Sequence, residues 1–431
     1  MDYFGELVQH LLRQLSIDSV QSDPCADSPF GAGVGACIRD VLDCARAWGF
    51  DTKNEQGYYG VCEIGDGEAF GILGHLDTVP YDDEGWSANP LGELRDGVVY
   101  GRGVLDDKGP MLCCLYAVKQ LIDEGRRPSK RIRMIWGGNE ESGWKCIERF
   151  VQTDTLPPQG FSPDGDFPAI YCEKGLVHYR IRLPLPTGLI DLQGGSRGNV
   201  VMPSCIAVCD GALHARCDDP QLRVTVTAGK TYLQAAGTPA HASTPAQGDN
   251  ALWHILRYLS DAIGGDYARL CDALCCNDGS GLGIRLQDKQ SGALTCNVGV
   301  ARVADAALEL ILDVRHPVTY DKQDVARRIA DALGGCDVEI VHYHDPLYVD
   351  PDHPLLRRLL AAYESVTGQH AAPIAIGGGT YARALSVGVA FGPIFPDMPS
   401  TIHQKDERVS LRDLRKMYDI YYAAIRDLCF E

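Results

Sequence analysis

The chain has 431 residues and carries 40 Lys+Arg against 58 Asp+Glu, a formal charge of −18 at neutral pH. At roughly 150 residues per domain this length predicts two or three domains, and 45% hydrophobic with 23% charged residues argues against a mainly disordered or coiled-coil chain. The acidic balance argues against nucleic acid as a partner, since a phosphate-binding surface needs a basic patch.

The first element is an amphipathic helix: Phe4, Leu7, Val8, Leu11, Leu12 and Leu15 form one apolar stripe. Asp2, Glu6 and Arg13 interrupt it, so it does not read as a signal peptide. From residue 58 short apolar runs alternate with helical stretches. YYGVCEI, AFGILGHL and RIRMIWGG predict strands; 109–125 predicts a helix closed by Gly125; WKCIERFVQ predicts a short helix. LPLPTG near residue 184 has linker composition. Between 186 and 347 the pattern is mostly strands with two helices, DNALWHILRYLSDAIGG and DKQDVARRIADALGG, which predicts a small sheet with two helices on one face. DPLYVDPDHP marks a second boundary, after which helices resume over 353–368 and about 410–428. The expected architecture is α/β. A metal-binding catalytic domain (1–185 plus 348–431), with helices on both faces of a mixed sheet, is interrupted by an inserted α+β, ferredoxin-like lid (186–347). No apolar run approaches the ~18 residues of a membrane span, so no membrane partner is expected. The 17 cysteines are odd in number and contain no C-x-x-C, so they read as thiols of a reducing compartment and the location as cytoplasmic.

Five motifs offer chemistry. In GHLDTVP, period 2 puts His75 and Asp77 on one strand face, where the carboxylate would orient the imidazole. Taken alone, a structural strand-end histidine is the commoner explanation. In GRGVLDDKGP, Asp106 and Asp107 enter a helix, as a helix cap or as a bridging carboxylate. In GGNEESG, Glu140 and Glu141 follow a strand's C-terminal end, where α/β folds place ligands. Asp164 and His403 are unremarkable singly, since a turn aspartate and a lone histidine are normally structural. Together these residues make a mixed N/O ligand set suited to two divalent ions, zinc first, with manganese or cobalt as alternatives.

With GTPAHASTP, SPDGDFPAIYCEKG, GGGTYAR and HQKDE in the same order, the sequence resembles the co-catalytic metallopeptidase superfamily. That superfamily holds aminoacylase, carboxypeptidase G, succinyl-diaminopimelate desuccinylase and acetylornithine deacetylase; the nearest likeness is to its PepV-type dipeptidases. The motifs run from residue 74 to 407, nearly the whole chain. The resemblance implies that His75, Asp106, Glu141, Asp164 and His403 bind metal, Asp106 bridging and a cis peptide bond following it. Asp77 would orient His75, and Glu140 would be the general base. His241 of the lid would polarise the scissile carbonyl; Asn199, Arg315 and Gly379 would contact substrate, Arg315 through its free carboxylate. Asn139, where many relatives carry aspartate, and the loosely matching LQGGSRGNVVMP are departures that bear on substrate preference. The implied activity is hydrolysis of dipeptides or short peptides by a metal-activated water, in a monomer rather than a homodimer. The alternatives are an N-acyl-amino-acid deacylase or carboxypeptidase on the same site, and a catalytically silent binding protein on this fold.

Overall fold

The structure, a computed structural model, describes residues 2–82 and 84–431. The chain divides into two units: Met1–Tyr171 with Val349–Ile374 and Thr380–Glu431, and Cys172–Tyr348 with Ala375–Gly379.

The sheet of the first unit runs in the order Asp51–Glu55, Tyr59–Ile64, Arg131–Gly137, Ala69–His75, Gln159–Ser162, Val387–Ala390. The first two pairings are antiparallel and the next three parallel. Ala69–His75 and Arg131–Gly137 are buried almost throughout, which is why they read as continuous apolar runs rather than alternating ones. The pleat separates the faces. Gly60, Trp136 and Gly74 form one cross-strand row; Gly60 faces Ile38 and Leu42, and Gly74 faces Met111. Tyr59, Gly137 and His75 form the adjacent row on the opposite face, where the Phe150 ring lies 4.6 Å from that of Tyr59. Helices Ala32–Ala47 and Lys108–Asp123 therefore cover one face and Lys145–Thr153 the other. This is the expected mixed sheet with helices on both faces.

The N-terminal helix Tyr3–Leu15 buries Leu7, Leu11 and Leu15 and is capped by Asp2, whose carboxylate accepts from the Gly5 N–H. Helix Lys108–Asp123 ends before Gly125, whose φ of +78° only glycine adopts at little cost.

The second unit holds an eight-stranded sheet in the order Leu222–Thr227, Lys230–Ala236, Ser204–Asp210, Leu189–Gly194, Thr295–Ala304, Ala307–His316, Gly175–Pro184, Asp337–His344, antiparallel throughout. Helices Ala251–Ala262, Asp266–Leu274 and Lys322–Ala332 contribute Ile255, Leu259, Leu270 and Ile329 to a core shared with Tyr179, Ile181, Leu310 and Leu312. The sheet is larger than expected, and a third helix is present. Asp266–Leu274 has only nine residues and no side-chain cap, and it follows a Gly-Gly pair that closes the preceding helix. The unit also begins at Cys172 rather than near residue 186. Gly175–Pro184 pairs along its whole length with Ala307–His316, so LPLPTG is a turn within this unit and not a linker into it.

Candidate metal centre

Three parallel strands of the first unit deliver ligand-type side chains from their C-terminal ends. His75 ends Ala69–His75, Glu140 and Glu141 follow Arg131–Gly137, and Asp164 follows Gln159–Ser162. Asp106 enters from the turn before helix Lys108–Asp123, and His403 from the turn before Arg408–Ser410.

Asp106 sits between two imidazoles. Its Oδ1 lies 2.9 Å from His75 Nε2 and its Oδ2 lies 2.8 Å from His403 Nε2. Asp164 Oδ2 is 3.9 Å from His75 Nε2, and Glu141 Oε1 is 3.1 Å from His403 Nε2. Donor atoms of His75, Asp106 and Glu141 all fall within 4.8 Å of one another. The groups thus sort into a His75–Asp164 side and a His403–Glu141 side with Asp106 across both.

Asp77 organises the site more fully than its sequence position suggested. His75 Nδ1–H donates to the Asp77 backbone carbonyl at 2.9 Å, with Asp77 Oδ1 at 3.5 Å. That commits Nδ1–H to the carbonyl and turns Nε2 toward the carboxylates, the nitrogen that a metal ion would take in place of a proton. The two Asp77 oxygens also accept the backbone N–H groups of Glu140 and Glu141, at 3.0 and 3.1 Å. One buried carboxylate therefore fixes the histidine and the glutamate pair together. The Trp144 indole N–H donates to Glu140 Oε1 at 3.1 Å. Asn139 donates through its amide to Gln21 and Ser142 and accepts the Lys145 N–H. An aspartate could not make the two donations, which gives the asparagine at this position a physical reason. The Asp106–Asp107 peptide bond is cis, as the resemblance implied. Gly74 is required beneath it: a Cβ there would lie 2.0 Å from Asp107 Oδ2.

The electrostatics fit a cation-binding pocket. Five carboxyl groups (Asp106, Asp107, Glu140, Glu141, Asp164) meet two histidines in a largely buried space. Burial, reinforced by the Asp106 charge, pushes Asp164 up to about 7. Burial and neighbouring carboxylates also raise Glu140 and Asp107 well above the usual range. Burial opposes charging His403, yet hydrogen bonds to Asp106 and Glu141 take it up to about 11. Asp107 Oδ1 is buried without a hydrogen-bond partner among the described residues. Uncompensated buried negative charge at a cluster of N/O donors is what divalent cations relieve, so the donor set fits two such ions.

Asn199, His241, Arg315 and Gly379 all fall in the second unit. The Ala242 N–H donates to the Asn199 carbonyl and the Val201 N–H to the Ala240 carbonyl, pairing the two loops. The Ser243 N–H donates to His241 Nδ1, which places the ring proton on Nε2. Gly377 links these loops to Arg315: its carbonyl accepts from Arg315 Nη1 at 3.1 Å, and a Cβ on it would be 3.4 Å from Ser243 Cβ. Gly379 lies two residues further along. Arg315 is only 2% exposed, and its Nε and Nη2 grip Asp313 at 2.6 and 2.9 Å. Of five N–H groups three are thus engaged, leaving two for a ligand. Sequence reasoning missed Asp313 and also Asn297, whose amide donates to the carbonyls of both Gly198 and Val200, the residues flanking Asn199. The signal for Asp313 was its period-2 spacing from Arg315 on one strand.

Comparison with known proteins decides the family. Peptidase family M20/M25/M40 matches residues 71–427. The chain belongs to this peptidase family. A Bacillus subtilis member named "Putative dipeptidase YtjP" is 35% identical, covering 98% of this chain and 97% of its own length. A Staphylococcus haemolyticus protein named "Putative dipeptidase SH1171" is 32% identical, covering 100% of this chain and 98% of its own. Among solved structures, the aminoacylhistidine dipeptidase of Vibrio alginolyticus matches with a TM-score of 0.60 at 13% identity, over 99% of this chain and 97% of its own, a likeness of fold.

Proposed function

We propose that this peptidase is a metal-dependent dipeptidase that uses His75, Asp106, Glu141, Asp164 and His403 to hold two divalent ions. The observation that carries this reading is Asp106, whose two carboxylate oxygens face two different histidines beside a half-buried glutamate pair. The names of the curated relatives support dipeptides as the substrate class. Bound ions, zinc by the mixed N/O donor set with manganese or cobalt as alternatives, would supply Lewis acidity toward a water and toward the scissile carbonyl.

The chain's own groups would do the rest. Glu140, one oxygen held by Trp144, takes a proton from the attacking water and passes it to the leaving amine. Asp77 keeps Glu140 and Glu141 in place through their backbone N–H groups. His241, its proton on Nε2, donates to the carbonyl oxygen as negative charge develops there. Arg315, steadied by Asp313, would offer its two remaining N–H donors to the substrate carboxylate, and Asn199 and Gly379 would line the same region. The inserted unit is assigned these substrate contacts, and we assign the chain to the cytoplasm as a monomer. No disulfide occurs among the described residues, and no described helix is long and apolar enough to cross a membrane.

The test is hydrolysis of a panel of free dipeptides against N-acetyl amino acids by metal-reconstituted protein. Preference for dipeptides with a free amine supports the reading; preference for N-acetyl amino acids assigns the same site to a deacylase.

A further inference from the structure

We propose that Glu407 is a positioning residue that sets the separation of Asp106 and His403 before any ion binds. The proposal rests on reading those two residues as metal ligands. Glu407 is fully buried, with 0% exposure, yet it lies in neither apolar core. Its Oε2 accepts from Arg102 Nη1 at 2.7 Å and from the Gly103 N–H at 3.1 Å, and its Oε1 accepts from the Leu105 N–H at 2.9 Å. Leu105 immediately precedes Asp106, so the carboxylate anchors the turn that presents the shared ligand.

The same pair anchors the other turn. Glu407 follows His403 by four residues, and Arg102 also donates to the carbonyl of Gln404, the residue next to His403, at 3.2 Å. The backbone adds a frame: the Gly101 N–H donates to the Glu407 carbonyl at 3.0 Å, and Val98–Tyr100 pairs with Arg408–Ser410. One buried carboxylate–guanidinium pair thus ties together the two turns whose tips bring Asp106 Oδ2 within 2.8 Å of His403 Nε2. A buried ion pair adds little net stability over apolar packing. Its placement between two ligand-bearing turns therefore points to positioning. Partners of this kind, one step behind the ligands, typically govern metal affinity.

Glu407→Gln keeps the shape but puts an amide nitrogen against a ring of donors, so one turn loses its anchor. The test titrates metal-stripped full-length protein with cobalt(II), read by its visible absorption. His403→Ala should lose one of the two cobalt ions, which checks the ligand reading alone. Glu407→Gln should weaken the ion on the His403 side by about 10–100-fold, and the other, through the shared Asp106, by no more than that, with unchanged far-UV circular dichroism. If His403→Ala binds both ions as wild type does, the ligand reading falls and the proposal with it. If His403→Ala loses one ion while Glu407→Gln binds both at wild-type affinity, the positioning proposal alone is overturned. A second measurement needs no variant. In metal-free wild type, the Gly103 and Leu105 amides should remain protected from hydrogen exchange, because their acceptor is Glu407. Exchange of both at unstructured rates would overturn the proposal even if Glu407→Gln fails to fold.

Discussion

Glu140 and Glu141 are neighbours in sequence with separate environments, and a pair of substitutions should separate their roles. Glu140 touches the Trp144 indole, whereas Glu141 faces His403. Glu140→Gln is nearly isosteric but cannot take a proton from water, so turnover should fall by about 10²–10⁴ with metal content unchanged. Glu141→Gln should instead lower metal occupancy. Metal analysis beside steady-state rates checks both, and wild-type turnover in Glu140→Gln would move the base elsewhere. That His75, Glu140, Glu141 and Asp164 would come together was legible because strand ends in an α/β layer can be located from apolar runs, and those ends are where such residues gather. What pattern could not reveal is what holds these side chains in place. Asp77 reaches Glu140 across 63 residues, and Asn139 reaches Gln21 across 118.

At the scale of elements, two polar residues, one buried and one half-buried, fasten segments that the sequence shows only as separate pieces. Asn297, 2% exposed on strand Thr295–Ala304, holds the carbonyls on either side of Asn199, and that loop is paired with the one carrying His241. Asn297→Ala removes the clamp without touching substrate. It should lower kcat/KM by about tenfold, a loss of roughly 1.4 kcal/mol of transition-state stabilisation, and circular dichroism should show the fold retained. Unchanged kcat/KM would detach this loop pair from catalysis. Asp40, on helix Ala32–Ala47, accepts from His10, Arg13 and Gln14 of helix Tyr3–Leu15. Burial works against its charge, but these donors hold its carboxyl down at about 2, below the ordinary 3.8. A depressed pKa contributes stability above the unfolded value that is lost as pH falls through the folded one. Asp40→Asn should therefore cost about 1–2 kcal/mol near pH 7, allowing for partial exposure. The gap from wild type should close between about pH 4 and pH 2, as denaturant titrations at several pH values would measure. The first helix was legible from its apolar stripe, but its contact with Ala32–Ala47 was not, because periodicity identifies a buried face without saying what covers it.

For the whole molecule, the interrupted α/β architecture was readable from the return of the early pattern after residue 348. The inserted unit's start was not, because Gly175–Pro184 looks like the strands before it and only its pairing with Ala307–His316 assigns it. That division has a thermodynamic consequence. The core of the second unit, from Val177 to Ile340, lies wholly within that unit, and the proposed metal ligands lie wholly within the first. Metal that binds only the folded first unit stabilises it by linkage, about 4 kcal/mol when free metal is 1,000 times its Kd. For a unit of this size that raises its melting temperature by about 10 °C. The second unit has no ligand to gain and should melt at the same temperature with or without metal. Differential scanning calorimetry of the full-length protein, metal-stripped and then reloaded with zinc, should resolve one heat-absorption peak that moves and one that does not. The chelated protein should be inactive but still folded at 25 °C, since both cores are built from apolar side chains rather than from metal bonds. If neither peak moves, the first unit does not bind metal. If both move together, the two cores unfold as one cooperative body, and the ion's stabilisation is shared across the chain.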